Sequence, residues 1–231
     1  MNFKGKNIGI IGLGESGYWS AKLARSLNYK VFISDINLDI NHQYIDDLER
    51  LNVDIEIGTH SEKILDCDII IKSPGISNKI SIIEKISSLN IPIISEIEFA
   101  SLISNVKNIC ISGTNGKTTT VSLIDDILSS ELNVIKSGNI GIPFSKVVFE
   151  NMLHKANEFD YCILELSSFQ LEHSYYLEKE ISLILNISVD HMDRYDSFEE
   201  YLDTKMKIFH NSNYCIYNFD DNIIKERFDI Q

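Results

Sequence analysis

The stretch Ile111-Ser112-Gly113-Thr114-Asn115-Gly116-Lys117-Thr118-Thr119-Thr120 decides how this chain folds. It follows the apolar run Asn108-Ile109-Cys110-Ile111. It leads into residues in which Val121, Ile124 and Leu128 recur at helical spacing, with Leu123 and Ile127 beside them. The order is therefore strand, glycine loop, helix. Such a loop turns backbone N–H groups toward one point at a helix N-terminus, where the aligned peptide dipoles also favour an anion. Lys117 adds a charge for the β- and γ-phosphates and the Thr118 hydroxyl can ligate Mg²⁺, so Gly113, Thr114, Asn115, Gly116, Lys117, Thr118 and Thr119 read as an ATP or GTP site. The match is to the short form Gly-x-x-Gly-Lys-Thr, because Ile111 stands where the longer phosphate-loop pattern has its first glycine. A glycine-rich turn with an accidental lysine is the plain alternative.

Upstream, Asn7-Ile8-Gly9-Ile10-Ile11 reads as a buried strand and runs directly into Gly12-Leu13-Gly14-Glu15-Ser16-Gly17. A helical stretch to about Leu27 follows, then the strand Lys30-Val31-Phe32-Ile33-Ser34 ending at Asp35. A Gly-x-Gly-x-x-Gly turn between strand and helix, with an acid at the end of the next strand, points to a dinucleotide. The same turn serves any ligand that lays a pyrophosphate on a helix N-terminus. Further strands are expected at Val53 to Ile57, at Asp68 to Lys72 running into Ser73-Pro74-Gly75-Ile76, and at Ile91 to Ile94. Strands alternating with helices predict a parallel sheet covered on both faces, a Rossmann-like α/β domain. Two strand–glycine turn–helix units with different turn chemistry predict two domains, 1–104 and 105–231.

Downstream, Tyr161-Cys162-Ile163-Leu164 closes on Glu165, at the strand end where phosphate-loop proteins place the carboxylate that holds Mg²⁺. A strand-end glutamate in solvent is the alternative. The strand from Ile181 to Ile187 ends in Ser188-Val189-Asp190-His191-Met192-Asp193-Arg194-Tyr195, and His191 there is a candidate metal or phosphate contact or a structural hydrogen bonder. In the helix from about Ser197, Phe198, Tyr201, Leu202, Ile208 and Phe209 mark an apolar stripe on which Lys205 falls. A buried ammonium must be paired, neutral or modified, and a neutral amine can take up CO₂ as a carbamate. A lysine reaching past the helix edge to water remains the other reading.

A net charge of −13 argues against nucleic acid or an anionic membrane as a partner, since both need a basic face. No apolar run approaches a membrane span and no signal-peptide core is evident, so a cytoplasmic protein is expected. Cys67, Cys110, Cys162 and Cys215 have no zinc or redox spacing and are expected to be buried free thiols.

The sequences Ser112 to Thr119, Gly138-Asn139-Ile140-Gly141, Glu165-Leu166-Ser167-Ser168-Phe169-Gln170-Leu171 and Asn186 to Tyr195 together resemble the Mur ligase family, and most closely its D-glutamate-adding branch. Gly12 to Gly17 and Ser73 to Ile76 also fit. The resemblance implies a cytoplasmic step of peptidoglycan synthesis. In it ATP phosphorylates the carboxylate of UDP-N-acetylmuramoyl-L-alanine and the amine of D-glutamate displaces the phosphate. It implies catalytic roles for Lys117, His191 and Lys205, and Mg²⁺ held by Thr118, Glu165, His191 and a carbamylated Lys205. It also implies substrate contacts from Gly14, Glu15, Ser16, Asp35, Ile36, Asn37, Ser73, Pro74, Gly75, Asn139 and Ser167. A monomer is expected. Ile36 and Asn37 depart from the hydroxyl and cation that the family often presents to uracil. The family also has a third domain, and a chain ending at Gln231 is expected to stop before the central domain is complete. Ligase, non-catalytic UDP-sugar-binding remnant and NAD-linked oxidoreductase built on Gly12 to Gly17 and Asp35 are the readings carried forward.

Overall fold

The computed structural model describes residues 6–154 and 159–229, so Gln231 lies outside the described residues. Two compact units are present. The first runs up to Ile103 and also takes in Pro143 onward through the helix α6 (Phe144–His154); the second takes Ser104 to Ile142 and the chain after α6.

In the first unit the order is β1 (Asn7–Ile11), α1 (Glu15–Ser26), β2 (Lys30–Asp35), α2 (His42–Arg50), β3 (Asp54–Ile57), β4 (Ile69–Lys72), α3 (Ser81–Ser88), β5 (Ile93–Ser95) and α4 (Glu96–Ser101). The strands form one sheet in the order β3-β2-β1-β4-β5, every pair parallel. Near-continuous isoleucine runs suit this, because a strand covered on both faces needs no polar alternation. Ile11, Ile70, Ile83 and Ile86 lie in one buried cluster beneath α3. The order reverses at β1, which has β2 on one side and β4 on the other, so the crevice for a ligand opens at its C-terminal end.

The second unit contains β6 (Lys107–Ser112), α5 (Lys117–Leu128), β7 (Val134–Gly138), β8 (Tyr161–Glu165), α7 (Ser168–Leu171), β9 (Lys179–Ile184), α8 (Phe198–Met206), β10 (Ser212–Tyr217) and α9 (Asn222–Asp229). Its parallel sheet has the order β10-β9-β6-β8-β7, which puts the end of β6 between β8 and β9. The expected pair of parallel-sheet α/β units is therefore what the chain builds.

Several expectations are corrected. The division into 1–104 and 105–231 misses α6, which lies in the second half of the sequence yet packs in the first unit, where the Glu96 carboxylate accepts the Ser145 N–H at the helix start. Strand β3 begins one residue late because the Val53 N–H closes the preceding helix on Leu48 O. Strand β5 begins at Ile93, beyond Pro92, which has no N–H to give. On α5 the side chains of Val121, Ile124 and Leu128 face the core, while Leu123 and Ile127 are 57% and 61% exposed. Cys67, Cys110 and Cys162 are buried, but Cys215 is exposed on the edge strand β10. No helix among the described residues is long and apolar enough to cross a membrane.

Candidate functional site

Strand β6 delivers Ser112, and the chain then turns through Gly113 at φ +149° and Gly116 at φ +85°, both in the range that favours glycine. A Cβ on Gly113 would come 3.1 Å from Leu185 Cβ. The loop is tied down by one residue. Asn186 accepts the Thr114 N–H on its carbonyl (2.9 Å) and the Asn115 N–H on Oδ1 (2.9 Å), and its amide donates back to Asn115 O (3.0 Å). The Thr114 and Asn115 N–H groups are thus spent on Asn186. The donors left to face an anion are those of the first turn of α5, whose cap, Gly116, offers no side chain.

Two lysines converge on the Gly113 carbonyl. Lys117 Nζ donates to it at 2.9 Å and to Thr114 O at 3.0 Å; Lys205 Nζ, arriving from α8, donates to the same oxygen at 2.9 Å. Lys205 is 2% exposed, so it does not reach past the helix edge to water. Desolvation, and then the Lys117 charge, pull its pKa down to about 7, with Asp190 acting the other way. Near neutral pH the Lys205 amine is therefore divided between charged and neutral forms. Tyr201, one turn earlier on α8, bonds Thr114 Oγ1 through its hydroxyl at 3.0 Å and so fastens the helix to the loop.

On the other side of β6, Thr118 Oγ1 donates to Glu165 Oε2 at 3.0 Å and Asn139 Nδ2 to Glu165 Oε1 at 3.2 Å. Glu165 is buried, and Asn139 reaches it because Gly138 lets the chains meet: a Cβ there would lie 2.3 Å from Glu165 O. A carboxylate, a hydroxyl and an amide gathered at a phosphate loop are hard oxygen donors, a set that fits Mg²⁺. His191 is placed differently. Its backbone is left-handed at φ +55°, its Nε2 lies 3.5 Å from Asp190 Oδ2, and its ring packs 4.8 Å from that of Phe169, over which Arg194 also lies. Among the described residues no three His, Cys, Asp or Glu side chains form a metal-sized cluster. The residues expected around a metal fall into three places: Thr118 with Glu165, Lys205 on the Gly113 carbonyl, and His191 with Asp190. Ser167 is the N-cap of α7 and closes a reciprocal capping box with Gln170, so its hydroxyl is engaged locally.

In the first unit the glycine turn is set by close approach. Gly12 N donates to Ser34 O at 2.9 Å, and a Cβ on Gly17 would come 1.9 Å from Gly12 O. Asp35 is buried and accepts the Leu13 N–H (2.6 Å) on one oxygen and the Asn37 N–H (2.8 Å) on the other. Ser73 Oγ donates to Gly12 O at 3.1 Å, and the buried Lys72 holds the following turn, with Pro74 and Gly75 in it, through Ile76 O at 2.7 Å. Gly14 and Glu15 are exposed and Ser16 half-buried at the start of α1. Ile36 is exposed, and the Asn37 side chain is engaged by Asp39. Sequence reasoning missed the bracing roles of Asn186, Tyr201 and Lys72. Only Asn186, at a strand end beside the polar cluster, carried a readable signal.

Residues 111–230 match the model of the Mur ligase middle domain, and residues 7–82 that of the MurD N-terminal domain. The chain belongs to the Mur ligase family. This Mur ligase chain is 43% identical over 228 residues to the UDP-N-acetylmuramoylalanine--D-glutamate ligase of Bacteroides thetaiotaomicron, covering 96% of itself and 50% of that protein. It is 40% identical over 216 residues to the ligase of the same name from Elusimicrobium minutum, covering 90% and 46%. It spans about half the length of the curated relatives it matches. Among solved Mur ligase structures it resembles the UDP-N-acetylmuramate:L-alanyl-gamma-D-glutamyl-meso-diaminopimelate ligase of Neisseria meningitides, with TM-score 0.60 at 16% identity over 98% of this chain and 75% of that one. It also resembles the UDP-N-acetylmuramate-alanine ligase of Thermotoga maritima, with TM-score 0.55 at 21% identity over 96% and 51%. At those identities the likeness bears on the fold alone.

Proposed function

We propose that this chain carries the nucleotide-sugar and ATP sites of an ATP-dependent ligase that joins D-glutamate to UDP-N-acetylmuramoyl-L-alanine in the cytoplasm, a step in peptidoglycan synthesis. The observation that carries this reading is the convergence of Lys117 and Lys205 on the Gly113 carbonyl beside the Thr118–Glu165 hydrogen bond. An ammonium from Lys117 on one side of a glycine loop and an oxygen-donor pair on the other are what a transferring phosphoryl group needs, and the second lysine brought to the same carbonyl is the group whose charge burial makes adjustable.

In this reading the N–H groups at the start of α5 and the Lys117 ammonium bind the phosphates, Lys117 exchanging its carbonyl partners for phosphate oxygens. Thr118 and Glu165 would hold Mg²⁺, with His191 as a further ligand, and the ion when bound would neutralise charge on the phosphates. A substrate carboxylate oxygen attacks the γ-phosphorus and ADP leaves. The amine of D-glutamate then attacks the acyl carbon and phosphate leaves. Lys205, held by burial near the point where its amine is neutral, takes up CO₂ with loss of a proton and becomes an anion. Asn139 and Ser167 lie along the substrate path. Gly14, Glu15, Ser16, Asp35 to Asn37 and Ser73 to Gly75 surround the UDP moiety. The oxidoreductase built on Gly12 to Gly17 and Asp35 would leave the Lys117, Thr118 and Glu165 arrangement without a role, which weighs against it.

Thermal stability of the purified chain with UDP-N-acetylmuramoyl-L-alanine, Mg·ATP and NAD tests the reading. A ligand at 100 times its Kd adds about 2.7 kcal/mol. The first two ligands are expected to stabilise and NAD is not. Stabilisation by NAD alone overturns the reading, and binding without phosphate release identifies a binding module in place of a working ligase.

A further inference from the structure

Thr114 stands in the glycine loop, yet each of its polar atoms is engaged by the protein. Its N–H donates to Asn186 O at 2.9 Å, and its carbonyl accepts Lys117 Nζ at 3.0 Å. The hydroxyl is the busiest. Oγ1 accepts the Ser188 N–H at 3.0 Å, faces Ser188 O at 3.3 Å and lies 3.0 Å from the Tyr201 hydroxyl. A threonine hydroxyl holds one hydrogen and two lone pairs, and that inventory fixes the direction of each bond. Ser188 O can only accept, so the Thr114 hydrogen goes there. The Ser188 N–H can only donate and takes one lone pair. Tyr201 is therefore the donor to the other. The hydroxyl is saturated, and neither donor of Thr114 is left for a phosphate.

Its partners belong to the two segments that the proposed chemistry brings to this loop. Ser188 opens the stretch that runs through Val189, 71% exposed, to Asp190 and His191. Tyr201 is fully buried on α8, and Lys205, one turn on, donates to Gly113 O, the carbonyl just before Thr114. One oxygen thus joins the glycine loop to residues 74 and 87 positions away, on the His191 segment and on the Lys205 helix. Removing it has different consequences at the two ends. Ser188 is exposed, so its N–H and carbonyl pass to water and the segment is released. The Tyr201 hydroxyl, on a buried side chain, loses its acceptor, and an unsatisfied buried donor shifts the helix or the ring until it finds another.

We propose that Thr114 is a positioning residue of the second unit, its hydroxyl holding the His191 segment and α8 in register with the glycine loop. This rests on the reading of that loop as the ATP site. The test titrates the full chain with ATP by calorimetry, in Mg²⁺ and in EDTA, for wild type, Thr114→Val, Thr114→Ser and Tyr201→Phe. Thr114→Val keeps the shape and loses the hydroxyl, and the factor by which Mg²⁺ tightens ATP is expected to fall about tenfold. Thr114→Ser keeps the hydroxyl and brings the factor back to within about twofold of wild type. Tyr201→Phe lowers it too, and added to Thr114→Val it brings no further loss, because both changes break one hub. In the ligand-free chain the Ser188 amide is expected to exchange slowly with deuterium in wild type and Thr114→Ser, and fast in Thr114→Val. A folded Thr114→Val with the wild-type factor, or one that loses ATP equally in Mg²⁺ and in EDTA as a merely distorted loop would, overturns the inference alone. If Thr114→Val does not fold, Tyr201→Phe decides: a lowered factor supports the inference and an unchanged one overturns it. A wild type that binds no ATP, or binds it without regard to Mg²⁺, removes the ATP-site reading and this inference with it.

Discussion

The glycine turn at Gly12 and the glycine loop at Gly113 solve the same backbone problem with opposite charge. Each joins the central strand of a five-stranded parallel sheet to a helix, each at the point where strand order reverses. The first is braced by an acid: Asp35 accepts the Leu13 N–H that would otherwise face a ligand. The second is braced by bases, with Lys117 and Lys205 both donating to Gly113 O. On the proposed reading, glycine spacing marks where a nucleotide would lie, and the side chains brought in from the neighbouring elements would decide which part of it is held, the lysines of the second turn suiting it to the triphosphate.

The largest effect expected from breaking this comparison lies at Lys205. Its amine holds a proton less tightly in the folded chain, with pKa about 7, than in the unfolded chain, at the ordinary 10.5. Between those values the unfolded chain binds more protons, so stability rises with pH; below about 7 both states are protonated and the full penalty remains. In CO₂-free buffer Lys205→Met should be more stable than wild type at pH 7, by on the order of a few kcal/mol, with the gap closing toward pH 10. Equal pH profiles from denaturant melts would show that the ammonium is not desolvated. Next comes Gly17→Ala, whose Cβ would meet Gly12 O at 1.9 Å. It should cost about 2 kcal/mol or more and weaken UDP-substrate binding while sparing Mg·ATP. Loss of both ligands together would mean that the two units do not fold independently. Lys117→Met should weaken Mg·ATP about ten- to hundredfold, since hydrogen bonds to charged groups are worth about 1.5–3 kcal/mol, and leave UDP alone.

Much of this arrangement was legible because it is local. Strand β6, the loop and α5 are contiguous, and the spacing that put Lys205 on an apolar stripe needed only the helical period. What could not be read depends on contacts between distant segments. Asn186 binds the loop from 71 residues away, and His60 meets Ser34 across 26. The position of Asp35 was evident, but not that its oxygens face backbone N–H groups. Helix α6 looks in sequence like part of the second unit; the Glu96–Ser145 bond that places it with the first has no local signature. Leu123 and Ile127, beside the stripe in sequence, stay exposed because α5 is apolar over more of its circumference than one sheet face can cover.

The smallest expected effect, at Asp35, separates the two ways an acid can serve a glycine turn. Asp35→Asn keeps size and one accepting oxygen but turns an NH₂ donor toward the second backbone N–H, leaving either Leu13 or Asn37 without its acceptor. If the acid acts by bracing the turn, the cost falls on folding, about 1 kcal/mol in a thermal melt, with UDP affinity lowered only slightly. If it instead contacts the ligand, stability is nearly unchanged and UDP affinity takes the loss. The corresponding change in the second unit, Glu165→Gln, keeps an oxygen for Thr118 and turns its NH₂ to Asn139, whose side-chain amide, unlike a backbone N–H, can turn over to accept it, so stability should change less while Mg²⁺-dependent ATP binding weakens. Opposite partitions between stability and affinity at these two acids would show that the first carboxylate is part of the turn and the second part of the site.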